Sequence, residues 1–190
     1  MKKANATVFV YVAVILLIVV ISVSGSYAWF SANVNNDTVY ETVITAGDLK
    51  LGFENSQYFT VNDMVIIDSS EVETLAPKSE FDVKNTGSVD ASYDLYFNAT
   101  LTNNLIHNDF KWELLIDGVS VNSGNFGTIT PGSVSPTSAS FKITNTPITL
   151  SANQVNSCVF RVWLQDANYN QITLTEGTMQ GNVSISAVAK

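Results

Sequence analysis

Ala91-Ser92-Tyr93-Asp94-Leu95-Tyr96-Phe97-Asn98-Ala99-Thr100-Leu101 sets Tyr93, Leu95, Phe97 and Ala99 on one parity and Ser92, Asp94, Tyr96, Asn98 and Thr100 on the other. A period of two held this long is a strand with one face on a core and the other toward water. Neighbouring stretches repeat it. Ser79–Lys84 carries Phe81 and Val83 on one side, and the turn-rich Asn85-Thr86-Gly87-Ser88 follows. Downstream, Lys111–Ile116 and Val119–Val121 flank Asp117-Gly118, a two-residue hairpin signal favouring a type I′ turn. Ser157–Gln165 alternates with Cys158, Phe160, Val162 and Leu164 on one face, and Asn182–Val188 with Val183, Ile185 and Ala187.

Weaker patterns fill the intervals. Thr38–Thr45 and Leu49–Phe53 read as strands around Ala46-Gly47-Asp48, Met64–Ile67 as a short buried strand, and Ala139–Thr144 as another. Thr102–Asp109 has room for a short helical turn. Glu71–Lys78 and Asp166–Gly177 read as polar connections. Asn122–Ser138 reads as a loop with an edge strand over Asn125–Ile129, and Pro147–Val155 as a connection whose Ile148 and Leu150 cap the core. Eight to ten short strands with regular turn signals imply an all-β fold, a two-sheet antiparallel sandwich or jelly roll, over residues 39–190.

A different composition precedes it. Lys2 and Lys3 open the chain, and Val8–Val23 is apolar except for Ser22. Sixteen such residues suit the hydrophobic helix of a signal peptide better than a span, which needs about twenty. Ser26 and Ala28 stand at minus three and minus one of a cut before Trp29, so residues 1–28 read as a signal peptide and 29–38 as an extended new N-terminus. An uncleaved anchor is the alternative, in which case the membrane is met through the leader. A type IV pilin leader does not fit, because no Gly or Glu precedes Gly25.

Cleavage removes two lysines and takes the net charge from −8 to −10 over the remaining 162 residues. Such a surface repels nucleic acid and anionic lipid. Cys158 is the lone cysteine, read as a small buried hydrophobe, so stability rests on a hydrophobic core.

The residues also carry a family resemblance. Gly25-Ser26-Tyr27-Ala28-Trp29-Phe30-Ser31, a polar spacer and Ile44-Thr45-Ala46-Gly47-Asp48-Leu49 resemble the start of the TasA/camelysin proteins. Phe81–Ala91, containing Asn85-Thr86-Gly87-Ser88, is similar to that family's second mark. Phe160–Leu164 with Met179–Ile185 is similar to its last pair of strands. Trp29 departs from the commoner Tyr or Phe, and Leu101–Gln154 matches nothing. The resemblance implies a jelly roll secreted by a Gram-positive-type bacterium, handled by a dedicated signal peptidase, and self-polymerising into biofilm matrix fibres. An accessory anchoring protein is a further expected partner. The new N-terminus, with Trp29, Phe30 and Val34 as apolar anchors, would complete the sheet of the next subunit. Strand addition of this kind satisfies an open edge, and a head-to-tail contact that does not close makes a filament.

Two rival classes make different demands on the residues. For an enzyme, the chain has no His-Glu-x-x-His, no Gly-x-Ser-x-Gly, and His107 as its one histidine. That leaves no catalytic residue, metal ligand set or cofactor to name, including for the metalloprotease activity described for camelysin. His107 reads as a surface loop residue. For a monomeric adhesin or carbohydrate-binding sandwich, Tyr58, Phe59, Tyr96, Trp112, Trp163 and Tyr169 are the stacking candidates, with core packing the commoner fate of such rings. Asp63, Asp68, Glu71 and Glu73 lack the spacing of a calcium loop and read as a solvated connection.

Overall fold

A computed structural model describes residues 30–32, 42–46, 49–54, 59–62 and 64–189. The proposed signal helix and the ends of the extended segment lie outside them.

The chain folds into two antiparallel sheets. The first holds β1 (Phe30–Ala32), β4 (Phe59–Val61), β7 (Ala91–Leu101), β10 (Thr137–Lys142), β11 (Ile148–Leu150) and β13 (Met179–Ala189), in the path β1-β13-β7-β10. The second holds β2 (Thr42–Ala46), β3 (Leu49–Glu54), β5 (Ile66–Ile67), β6 (Lys78–Asn85), β8 (Phe110–Ile116), β9 (Val119–Asn125) and β12 (Val155–Gln165), in the path β2-β3-β6-β12-β8-β9. One pairing is parallel, β5 on the end of β12.

Alternation places the core as read. Along β7, Ala91, Tyr93, Leu95, Phe97, Ala99 and Leu101 are buried, and along β12 so are Cys158, Phe160, Val162 and Leu164. These faces meet in one cluster spanning both sheets. At its centre the rings of Phe97 and Phe160 lie 4.4 Å apart, centroid to centroid, and Phe59 and Trp112 pack around them. Gly181 makes room for Phe97, since a Cβ there would fall 2.4 Å from the ring.

Turn chemistry joins the strands. Asp117 and Gly118 both have positive φ, 51° and 77°, as the tight hairpin between β8 and β9 requires. After β6, Asn85 is fully buried. Its Nδ2 donates to the carbonyls of Val89 (2.9 Å) and Leu150 (3.0 Å), and its Oδ1 accepts from the Gly87 N–H (3.0 Å). One amide thus folds the turn and ties it to β11.

Four connections differ from the sequence reading. Glu71–Lys78 contains helix α1 (Val72–Leu75), because Val72 and Ala76 pack with Ile67 against Trp163 on the outer face of β12. Asp166–Gly177 contains helix α2 (Ile172–Thr175), which buries Leu174. No edge strand runs over Asn125–Ile129. Instead β9 extends to Asn125, and a 3-10 turn over Phe126–Thr128 puts Phe126 in the core, stacked on Phe110 at 4.2 Å. Pro147–Val155 contains β11, paired with β7. In each, a single buried side chain or a tertiary pairing wins over polar composition. Met64–Ile67 is buried only at Met64 and Ile67, whereas Val65 is exposed.

Phe97→Ala is expected to cost about 3–5 kcal/mol, as for large aromatic truncations in a core. Asn85→Ala should cost about 1–3 kcal/mol by stranding two carbonyls and an N–H. Both are read from denaturant unfolding, and an unchanged midpoint in either would refute its assigned role.

Candidate functional site

The outer edge of β13 is where the N-terminal strand β1 joins its sheet. Its inner edge pairs with β7 over eleven residues, from Met179↔Leu101 to Ala189↔Ala91. Two short strands share the outer edge end to end. β4 pairs with its first residues, Met179↔Val61 to Gly181↔Phe59, and β1 lies further along, Phe30↔Ala187 to Ala32↔Ile185. Asn182, Val183 and Ser184 lie between the two.

β4 and β1 are held differently. β4 buries Phe59 and Val61 and continues toward Met64, whose N–H donates to the Thr175 carbonyl (3.1 Å). β1 is three residues of backbone ladder. Sequence reasoning missed β4, although Phe59-Thr60-Val61 alternates, because three residues are too short a run to set a period; Tyr58 and Phe59 were read only as stacking candidates for which core packing is the commoner fate.

Of the residues singled out for assembly, Phe30 falls in β1, opposite Ala187, within its own chain. Trp29 and Val34, and the cleavage residues Ser26 and Ala28, lie outside the described residues, as do Tyr58 and Asp63.

Several of the other candidates have structural partners. Phe59 and Trp112 are buried in the core, and Trp163 covers α1 while its Nε1–H donates to Gln165 Oε1 (3.0 Å). His107 is partly exposed, and its Nδ1 accepts from the Asp109 N–H (3.2 Å). Asp109 in turn accepts from the Tyr169 hydroxyl (2.5 Å) and from Gln171 Nε2 (3.0 Å), which organises the loops beside α2. The hydrogen bond to Asp109 also raises the exposed Tyr169 phenol above its usual range. Asp68 accepts from the backbone N–H and hydroxyl of Ser70, which lowers its carboxyl below the ordinary value. Among the described residues, no group of three His, Cys, Asp or Glu could hold a metal ion.

Cys158 is wholly buried, as read. Burial first, and Asp117 second, push its thiol up to about 12. Burial raises the Tyr93 phenol as well; its oxygen accepts from Asn156 Nδ2 at 2.7 Å.

No protein-family model matches the chain, and no curated protein matches it in sequence.

The thiol gives a pH prediction. Its folded pKa lies above its ordinary 9.0, so the stabilisation is complete below pH 9 and is lost as the pH rises toward about 12. Tyr93 acts in the same direction from 10.0 upward. Unfolding midpoints should therefore fall between pH 9 and 12, and Cys158→Ser should flatten the first part of that fall. In the native protein the thiol should resist a disulfide reagent at neutral pH and react on unfolding. Rapid labelling of the native protein would contradict this.

Proposed function

We propose that this chain is a secreted structural subunit of jelly-roll type that polymerises into extracellular matrix fibres by donating its N-terminal strand to the next copy. The observation that carries the reading is the position of β1, three residues at the outer edge of β13 that terminate a sheet. The same edge in a second copy offers the same ladder. Exchange therefore replaces one pairing with an equivalent one, and the head-to-tail geometry propagates. The leader pattern at residues 1–28 and the resemblance to TasA/camelysin proteins support export and a matrix role. In this reading signal peptidase cleavage after Ala28 releases the donor, and an accessory anchoring protein starts the fibre at the surface.

Phe30 stands opposite Ala187, Ser31 opposite Ser186 and Ala32 opposite Ile185. Ala187 and Ile185 are buried core positions. In the exchanged pairing Phe30 thus takes a register position beside the acceptor's core, where burying a large apolar side chain is worth about 1.5–3 kcal/mol.

Electron microscopy of the chain beginning at Trp29, beside one beginning at Val39, tests the reading. Fibres are expected from the first only. Phe30→Asp, opposite the buried Ala187, should abolish them. Monodisperse particles from both chains would overturn strand donation.

A further inference from the structure

The two sheets part along the side remote from β1. There β9 and β10, the last strands of their sheets' paths, flank a cleft of about 590 Å³. That size is within the range of small-ligand sites. Its lining includes Trp112, Asn125, Ile129, Thr130, Ser140 and Phe141. Trp112 and Phe141 lie 5.6 Å apart, centroid to centroid. Gly124 of β9 stands opposite Trp112, and a Cβ there would fall 2.8 Å from the indole, so the glycine lets that ring lie against the strand.

Trp112 is only 6% exposed, and no protein acceptor for its indole N–H is seen among the described residues. Ser79 Oγ is the one buried side-chain polar atom among them without a partner, so the indole N–H keeps contact with solvent, where a ligand oxygen can reach it. Asn125 uses its Oδ1 to accept from the Gly127 N–H (3.0 Å), which leaves its amide N–H groups as donors. Ser140 donates to Asn98 Oδ1 (2.7 Å), which leaves its oxygen as an acceptor. Lys142 at the rim is neutralised by Asp94 (2.9 Å), so nothing here selects an anion. The cleft is also bounded along its length. Asn122 Nδ2 donates to the Ile143 carbonyl (3.0 Å) beyond one end of β10, and the chain crosses between the sheets after Phe126–Thr128 at the other. A compact ligand fits these bounds better than a through-running strand.

We propose that this cleft binds a neutral saccharide of one or two rings. Its apolar face lies on Phe141 and Ile129, one oxygen accepts the Trp112 indole N–H, and its hydroxyls bond Asn125 and Ser140. The site is separate from the β13 edge and would let a fibre hold matrix polysaccharide along its length.

Cellobiose, maltose and chitobiose, each titrated to millimolar concentration into the full chain, test this by nitrogen–proton correlation spectra. Trp112→Phe assigns the indole signal. The expected result is a saturable shift of that signal with at least one sugar. Affinity should fall about tenfold in Trp112→Phe, as for a lost buried hydrogen bond. The exposed-rim variant Thr130→Trp should block binding while keeping the native circular dichroism, which covers the case in which Trp112→Phe does not fold. No saturable shift with any of the three, or a shift that survives Thr130→Trp, would overturn the proposal. A shift produced only by an extended peptide would reassign the cleft to strand binding. Fibre formation, scored separately on the same variants, distinguishes this outcome from failure of the assembly reading.

Discussion

The ladder between β7 and β13 is the constraint on which the rest depends. Eleven residue pairs align two strands whose inward positions are almost all apolar. A slip of one residue would turn the buried set of one of the two strands toward water, so the register is strongly specified. Phe97 then meets Phe160 across the sandwich, and the second sheet is placed by that contact. With these two central strands set, every other strand of the first sheet is peripheral to them. β10 and β11 flank β7, and β1 and β4 flank β13.

The two sides of the sandwich solve the same problem differently. Outer strands expose backbone groups that invite pairing. On the β13 side, short strands occupy the edge, and one of them belongs to the N-terminal segment. On the β10 side, the Asn122 amide and the crossover through Phe126 hold the sheets' edges together around a cleft. A strongly acidic chain also repels its copies at long range. Any association of copies has to come from a short-range contact with specific geometry, and the proposed strand addition is of that kind.

Much of this was visible in the residue pattern. The bounds of β7 and the inward sets of β12 and β13 follow from period two alone. The Asp117-Gly118 hairpin follows from the positive φ those residues tolerate, and the fate of Cys158 from its apolar alternation. Helices α1 and α2 were not legible, because four residues with one or two apolar side chains give no helical period. Each exists because a groove beside Trp163 or Leu105 accepts Val72 or Leu174. Asn85 read only as a turn former, since nothing local says that its amide reaches Leu150, sixty-five residues away.

The sequence by itself determined the all-β class and the inward face of each long strand, since these rest on local alternation. Tertiary structure alone decided which edges meet. The pairing of β1 and β4 on one edge of β13 and the cleft between β9 and β10 depend on contacts between distant residues. Short strands carry too few side chains to encode their partners, so only the assembled sheets select them.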